Sequence, residues 1–218
     1  KYIDIDVNDN GTVGVAATRD QASLECFDYT PLTGSWNGGD IEIGGNSVNP
    51  EASPISLSYD RLGRPHISYQ DNSMVSVASF DTISGTWGED ILSNLAGETS
   101  SSGLRIPIES YTRQIDEETT VFGVGVVYVE NGELFYKYKE GDGPWSIDQI
   151  DDNFGGSIDS GEVALAYDYN GIPVVAFDGT DGNGGIWIAY DPPVTTPEPV
   201  TLALLGLGGL ALLRRKEQ

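Results

Sequence analysis

The chain has 218 residues, of which 34 are acidic and 11 are basic, and its formal net charge is −23. This excess of carboxylates argues against nucleic acid as a partner, because phosphate binding needs clustered lysine and arginine, and against binding to an anionic membrane surface. With 39% hydrophobic residues and 28 glycines, the chain has enough apolar material for a core and enough glycine for many tight turns. This composition indicates a folded β protein.

A repeat of about fifty residues begins with a strand predicted at residues 1–7. The segments 57–69 and 165–177 match at a constant offset of 108, and each predicts a β-hairpin around a turn with Asp and Gly. A further strand is predicted after each hairpin, at 23–29, 75–80, 134–139 and 186–190. In the first three repeats a last strand carries a tryptophan, namely Trp36, Trp87 and Trp145.

Four antiparallel strands in about fifty residues are typical of a propeller blade. We therefore predict an all-β, propeller-like domain over residues 1–191, with three full blades and most of a fourth. The third repeat is irregular, with a first strand predicted at Leu104–Ile108 and an acidic turn at residues 116–118. Because the fourth repeat lacks its last strand, we expect N-terminal sequence before Lys1 to complete the ring. A β-sandwich is the alternative fold.

The C-terminal part of the chain has a different character. Residues 192–199 are rich in proline and predict an extended linker. Residues 200–213 carry no charge, and as a helix they would span about 21 Å, short of the ~30 Å hydrocarbon core. We predict a short transmembrane helix there, followed by a basic cytoplasmic tail at 214–218. The positive-inside rule makes Arg214, Arg215 and Lys216 the topology stop and places residues 1–193 outside.

This tail resembles the PEP-CTERM sorting signal of Gram-negative bacteria, in which a Pro-Glu-Pro motif, a short apolar helix and a basic stop follow in order. The resemblance covers about 22 residues and implies that Pro197, Glu198 and Pro199 are recognised by an exosortase in the inner membrane. It implies cleavage near the motif and release or transfer to the cell surface, often where exopolysaccharide is made. It implies nothing about the function of residues 1–191.

Two segments of the repeats also resemble known propeller sequences. Residues 63–69 are similar to bacterial propeller repeats, and residues 79–87 resemble the Asp-box of sialidase-like propellers with extra residues inserted. In such boxes the aspartate bonds backbone amides and the tryptophan packs between blades. The resemblance implies structural roles for Asp28, Asp81 and the three tryptophans.

The residues do not form an evident catalytic set. Sialidase chemistry needs an arginine cluster for the substrate carboxylate, whereas Arg61 and Arg64 share one hairpin turn, where side chains are normally solvated. His66 is the only histidine and is expected to be packed, and Cys26 is the only cysteine and is expected to be buried. These residues make neither a zinc site nor a Ser-His-Asp triad. We predict no enzyme and no cofactor, although paired carboxylates for glycoside hydrolysis stay open.

Calcium is the one metal that the sequence suggests. Asp6, Asn8 and Asn10 fit the opening of an Asp-x-Asn-x-Asn-Gly loop, but Ala17 stands at the twelfth position, where a bidentate acid is expected. Asp178, Asp181 and Asn183 lie in a second oxygen-rich turn. Tight turns need the same residue types, so we favour turns without a formed site. Nonspecific binding of divalent cations is compatible with the strong negative charge.

These observations predict an exported protein that passes through the inner membrane to the cell surface or the medium. Its expected role is structural or adhesive and non-catalytic, with exosortase as a partner and exopolysaccharide as a candidate partner. A glycan-binding propeller is the first alternative, and it would place tyrosine and tryptophan on one face. A carbohydrate-active hydrolase is the second, and it would need two carboxylates in a central pocket.

Overall fold

The computed structural model describes residues 1–19, 23–43, 46–47, 54–71, 74–94, 106–116, 118–130, 133–149, 163–179 and 185–190. Every helix or strand in these ranges is a β-strand. The prediction of an all-β fold is therefore confirmed for the described part of the chain. The predicted linker 192–199, membrane helix 200–213 and basic tail 214–218 lie outside the described residues, as does the end of the predicted domain at residue 191.

The strands form antiparallel sheets, four of which we call blades. Blade I contains β1 (Ile3–Val7), β2 (Val13–Arg19), β3 (Ser23–Thr30) and β4 (Ser35–Asp40). A small sheet of β5 (Glu42–Ile43) and β6 (Asn46–Ser47) follows. Blade II contains β7 (Ser56–Tyr59), β8 (Pro65–Asp71), β9 (Met74–Asp81) and β10 (Thr86–Asn94).

Blade III contains β11 (Ile108–Gln114), β12 (Thr120–Glu130), β13 (Glu133–Glu140) and β14 (Ser146–Gln149). Blade IV contains β15 (Val163–Tyr167), β16 (Pro173–Gly179) and β17 (Gly185–Tyr190). In each blade the strands pair in chain order, and the first strands β1, β7, β11 and β15 lie side by side in the same sequence. This is a propeller-type arrangement, in which the first strand of each blade is the inner one.

The hydrophobic core lies between the blades. Blades I and II bury one cluster that includes Leu24 and Ile67, and blades II and III bury a second that includes Val77 and Val126. Blades III and IV bury a third cluster around Val127 and Val175. Each blade therefore depends on its neighbours for the burial of its apolar faces.

Side chains of one inner strand also bond the backbone of the next inner strand. Asp4 Oδ2 accepts the N–H of Leu57 at 2.7 Å, and Asp6 Oδ2 accepts the N–H of Tyr59 at 2.8 Å. Ser58 Oγ accepts the N–H of Ser110 at 3.0 Å one blade further on. The inner strands are sheet edges, so these bonds satisfy amide groups that have no ladder partner.

The last residue of an inner strand packs closely on the preceding blade. A Cβ at Gly14 would lie 2.1 Å from the hydroxyl oxygen of Tyr59, and a Cβ at Gly125 would lie 1.9 Å from that of Tyr167. Only glycine leaves room for these rings. The Tyr59 hydroxyl donates to Asp28, and the Tyr167 hydroxyl bonds that of Tyr136 at 2.8 Å. The contacts fix how far apart the inner strands of neighbouring blades lie.

The first hairpin of every blade closes with the same side-chain turn. Asn8, Asp60, Asp116 and Asp168 each accept backbone N–H groups two to four residues later through Oδ1. This is the local bonding that makes Asp and Asn favourable in turns. The predicted hairpins at 57–69 and 165–177 are confirmed, with Asp60 and Asp168 as their turn residues.

One predicted strand was placed wrongly. The first strand of blade III runs from Ile108 to Gln114 rather than over Leu104–Ile108. Ile106 and Pro107 are described but lie outside the strand, and Leu104 is not among the described residues. Pro107 has no N–H for a ladder, and its carbonyl accepts the N–H of Val127 instead.

The Asp-box resemblance implies tryptophans that pack between blades. Trp145 makes such a contact, since its Nε1 donates to Asp90 of blade II at 2.9 Å. The aromatic contacts of Trp36 and Trp87 lie within their own blades.

Trp36 lies against Tyr29 and Trp87 against Phe80, with ring centroids 5.2 and 5.4 Å apart. Asp81 accepts the N–H of Ile83 at 2.8 Å, as the Asp-box resemblance implies. Each of these two rings therefore packs on a residue of the neighbouring strand in its own blade.

The same side-chain turn is made by Asp60 in blade II and by Asp168 in blade IV, so the two positions test how much burial adds to the stability that the turn provides. Asp60 is buried and also accepts from the Arg64 guanidinium at 2.7 Å, whereas Asp168 accepts backbone amides and is not in the core. We expect Asp60→Ala to lower the free energy of unfolding by about 3 kcal/mol, because it leaves a largely buried guanidinium without this partner. Urea unfolding followed by circular dichroism measures the loss.

Asp168→Ala is the control, since it removes the same turn bonds at the equivalent position of blade IV, together with contacts to the Tyr190 hydroxyl and the Asn170 side-chain amide. Loss of those bonds at a carboxyl that is not buried should cost clearly less than the loss at Asp60. Equal losses in the two variants would contradict a special role for the buried pair at Asp60.

Candidate functional site

A polar cleft of about 170 Å³ opens where blades I, II and III meet. The ends of β1 and β7, the turns that follow them and the middle of β11 form its walls. The lining residues are Asp6, Val7, Asn8, Asp9, Ser58, Tyr59, Asp60, Arg61, Glu109, Ser110, Tyr111 and Thr112. Most are polar, so the cleft suits a hydrated or hydroxyl-bearing ligand better than an apolar one.

Two side-chain turns shape the mouth of the cleft. Asn8 Oδ1 accepts the N–H groups of Asn10 and Thr12, both at 3.0 Å. Asp60 Oδ1 accepts the N–H groups of Leu62 and Arg64, both at 2.9 Å. Because these oxygens hold the backbone of the turns, the mouth of the cleft has a defined shape.

A buried charged cluster lies behind the blade II turn. The Arg64 guanidinium pairs with Asp60 and also reaches Asp142 of blade III. Burial by itself would raise the pKa of Asp60, but bonds from His66 and Arg64 lower that pKa to about 2. Asp60 therefore stays ionised, and the arginine links blades II and III. The expectation that Arg64 is solvated was wrong, since only 14% of its side chain is exposed.

His66 belongs to the same cluster and is buried, as expected for a packed histidine. Its Nδ1 lies 2.8 Å from the Ser79 hydroxyl, and its Nε2 lies 3.4 Å from Asp60 Oδ2. Burial lowers the pKa of His66, and the Asp60 carboxylate partly opposes that effect. Its contacts lie within blade II, so it contributes to packing there.

Glu109 is the lining carboxyl with the most perturbed acidity. Partial burial in the cleft, together with the charges of Asp6 and Asp4, raises its pKa to about 7. Asp4 and Asp6 are committed to the amides of Leu57 and Tyr59. Glu109 therefore meets two fixed negative charges and exchanges its proton near neutral pH.

The residues proposed for calcium use their oxygens in other bonds. Asp6 accepts from Tyr59 through Oδ2 and from Val7 through Oδ1, at 2.8 and 2.7 Å. Asn8 is occupied in its turn, and the exposed Asn10 supplies a backbone donor to that turn. Among the described residues no group of three or more His, Cys, Asp or Glu side chains is arranged to hold a metal ion. Asp178 is exposed beyond the core of blade IV, whereas Asp181 and Asn183 lie outside the described residues.

Several other sequence-based candidates fall elsewhere. Trp36 and Trp87 lie on the outer strands, away from the cleft, so the aromatic residues of the cleft are Tyr59 and Tyr111. Cys26 is buried, and burial followed by the charge of Asp28 raises the pKa of its thiol to about 12.

The sorting residues Pro197, Glu198 and Pro199 and the stop residues Arg214, Arg215 and Lys216 lie outside the described residues. In the described ranges no helix is long and apolar enough to cross a membrane.

Sequence reasoning missed Glu109, Tyr59 and Tyr111 as cleft residues. Glu109 is one of 34 acidic residues, and its neighbours in sequence do not distinguish it. Tyr59 lies in a repeat, at the end of a predicted strand next to a turn, and that position was a usable signal. The three residues come together only because three blades pack on one another, so no local sequence pattern indicates that they share a cleft.

The raised pKa of Glu109 predicts a pH dependence of stability. The folded protein holds the Glu109 proton more tightly than the unfolded chain does. The stability that this proton contributes is therefore present at pH 4.5 and is lost as the pH rises through 7. Glu109→Gln should therefore raise the melting temperature at pH 8 and change it little at pH 4.5. Thermal unfolding at the two pH values measures the difference.

Glu42→Gln removes the same charge from an exposed position on β5 and serves as the control. The change in melting temperature caused by Glu42→Gln should not depend on pH in the way expected for Glu109→Gln. A Glu109→Gln variant that is no more stable than the parent at pH 8 would contradict the repulsion between Glu109 and the two aspartates.

Two solved structures align with most of this chain. AofleA from Arthrobotrys oligospora aligns with a TM-score of 0.52 and 12% identity, over 88% of this chain and 53% of that chain. This chain thus spans about half the length of AofleA. A GH43 endo-arabinanase from Bacillus licheniformis aligns with a TM-score of 0.37 and 14% identity, over 86% of this chain and 72% of that chain. At these identities the likeness concerns the fold alone.

The C-terminal end matches a family model, although no curated protein matches the chain. The model is the PEP-CTERM protein-sorting motif, and it covers residues 195–216. The match includes the Pro-Glu-Pro tripeptide, the apolar segment and the basic cluster, as the sequence predicted. The chain therefore carries a PEP-CTERM protein-sorting motif, the signal of an exported protein that an exosortase processes.

Proposed function

We propose that this protein is a cell-surface component that passes through the inner membrane and is cut by an exosortase. Residues 200–213 hold the chain in the membrane, and Arg214, Arg215 and Lys216 keep the C-terminus in the cytoplasm. Pro197, Glu198 and Pro199 are the residues that the exosortase reads. The observation that carries the proposal is the family match over residues 195–216.

The role of the propeller-like part is structural or adhesive rather than catalytic. This is supported by the state of the cleft, where Asp6, Asn8 and Asp60 are engaged in backbone bonds. Asp60 is a poor base because its pKa is lowered to about 2, and both carboxylate oxygens of Asp6 accept backbone N–H groups. Glu109, with a pKa raised to about 7, is the cleft carboxyl that keeps the acidity suited to proton transfer. The net charge of −23 also suits a hydrated matrix outside the cell.

Substitution of the motif prolines tests the sorting step. In a host with an exosortase, the Pro197→Ala/Pro199→Ala protein should remain full-length in the inner membrane, because the protease no longer recognises its site. Immunoblots of membrane, surface and medium fractions, with mass spectrometry of the ectodomain, measure processing. We expect at least a tenfold fall in the processed fraction.

The control is Pro192→Ala/Pro193→Ala, which changes two prolines of the same linker outside the matched residues 195–216. This variant should be processed like the parent. Unchanged processing of the 197/199 variant would refute the role of the motif, and equal loss in both variants would mean that linker stiffness matters instead.

Glycan binding is the second candidate function, and the cleft is the observation that favours it. Arg61, Asp9 and Glu109 offer charged donors and acceptors in the cleft. Sugars are bound by polar groups of this kind. Tyr59 and Tyr111 also line the cleft, but they are buried and Tyr111 packs on Tyr167, so a ligand would meet mainly the polar groups.

A glycan array with the intact protein tests this candidate. Binding that falls at least tenfold in Arg61→Ala, and not in Arg19→Ala, would support the cleft as the binding site. Arg19 is an exposed arginine on β2, outside the cleft. Absence of binding to every glycan, or equal binding by both variants, would reject glycan recognition in the cleft.

A further inference from the structure

An exposed aromatic side chain stands next to the polar cleft, on blade IV. Tyr169 is 94% exposed and lies in the turn between β15 and β16. A single exposed aromatic ring is ordinary on a protein surface. What this ring does therefore depends on where the turn lies, which way it faces and how firmly it is held.

Two contacts place this turn against the wall of the cleft. The ring of Tyr167, at the end of β15, packs on the ring of Tyr111, with centroids 4.8 Å apart. A Cβ at Gly171 would lie 2.9 Å from the carbonyl oxygen of Thr112, so the backbone of the turn touches β11 there. Both Tyr111 and Thr112 line the cleft. Since Tyr169 lies between Tyr167 and Gly171 in the sequence, the turn that carries it borders the cleft.

The repeat indicates which way this turn position faces. Tyr169 directly follows the turn residue of blade IV, and Asp9 and Arg61 hold the same place in blades I and II. Both Asp9 and Arg61 line the cleft. Arg61 is exposed although blades I and III pack on either side of its own blade. Exposure is therefore a property of this turn position, whichever blades stand beside it, and we expect Tyr169 to face the mouth of the cleft as well.

Side-chain hydrogen bonds hold the turn that carries Tyr169. Asp168 Oδ1 accepts the N–H groups of Asn170 and Ile172, at 2.8 and 2.9 Å. Asp168 Oδ2 accepts the Tyr190 hydroxyl at 3.1 Å. The backbone beneath the Tyr169 ring is therefore fixed, and a ligand that lies on the ring has little loop entropy to overcome.

The ring and the cleft together offer the groups that bind an uncharged sugar. One face of a pyranose ring carries C–H groups and packs on an exposed tyrosine, whereas its hydroxyls need donors and acceptors. Arg61 is a donor in the cleft, and Asp9 and Glu109 are acceptors. The carboxylates repel a sugar acid, and Arg61 repels the ammonium group of an amino sugar. A sugar without charge avoids both penalties.

From this placement we propose that Tyr169 is the stacking platform of the cleft and that the ligand is a neutral hexopyranose polysaccharide. One sugar unit lies on the ring of Tyr169, and a neighbouring unit enters the cleft at Arg61. The inference rests on the glycan-binding function proposed above, and it adds a recognition residue and a class of sugar. It also supplies the accessible aromatic surface that the buried Tyr59 and Tyr111 do not provide.

Calorimetric titration of the full chain in mild detergent tests the proposal. The probes are three neutral polysaccharides, namely a mannan, a galactan and a β-glucan, and two charged ones, polygalacturonate and chitosan. We expect binding to at least one neutral polymer. Tyr169→Ala should weaken that binding about tenfold, because it removes the stacked ring. Tyr169→Phe should bind like the parent, because it keeps the ring and loses only the hydroxyl.

Ile83→Ala is the matched control, since it truncates a residue that is 95% exposed in the outer turn of blade II. This variant should bind like the parent. Circular dichroism checks that each variant is folded, which we expect because both side chains are exposed. A loss in Tyr169→Phe as large as that in Tyr169→Ala would overturn stacking on the ring.

Arg61→Ala separates this inference from the function on which it rests. Loss of neutral-polymer binding in both Arg61→Ala and Tyr169→Ala supports one site that includes the ring. Loss in Arg61→Ala alone would leave glycan binding in the cleft intact and overturn the role of Tyr169, and loss in Tyr169→Ala alone would overturn the shared site. Binding of charged polymers only would overturn the class of sugar. Absence of binding to every polymer would reject this inference, and the glycan array then decides whether the broader function falls with it.

Discussion

The arrangement of the blades depends on hydrogen bonds from one inner strand to the backbone of the next. An inner strand is a sheet edge, and its free amides would bind water or another strand if nothing else satisfied them. Asp4 and Asp6 satisfy the amides of Leu57 and Tyr59, and Ser58 satisfies that of Ser110. These bonds set the register between blades, and the buried clusters then supply the favourable free energy of packing.

The same bonds determine the character of the cleft. Two aspartates placed to bond amides bring fixed negative charge to the centre of the molecule, which, with partial burial, raises the pKa of Glu109. The turn residues Asn8 and Asp60 hold the rim. The polar groups of the cleft are thus largely those that hold the fold together, and part of the acidity of the chain is structural.

The sorting motif is contiguous in the sequence, at residues 195–216, whereas the blades depend on contacts between distant residues. The charged residues therefore belong to two separate parts of the chain. Acidic side chains bond the backbone of the propeller-like domain and hydrate its surface, while three bases at the C-terminal end belong to the sorting signal.

The sequence alone determined the features that are local or periodic. Alternating apolar residues, Asp and Gly turns and the offset of 108 residues predicted the hairpins and the four-stranded blades, and the contiguous tail predicted its sorting motif. The first strand of blade III was misplaced because Pro107 interrupts a pattern of alternating apolar residues that otherwise suits a strand. Only the tertiary structure decided that Arg64 is buried and that Glu109 meets two aspartates. These properties depend on which surfaces of different blades come together, and the spacing of residues along one strand does not record that.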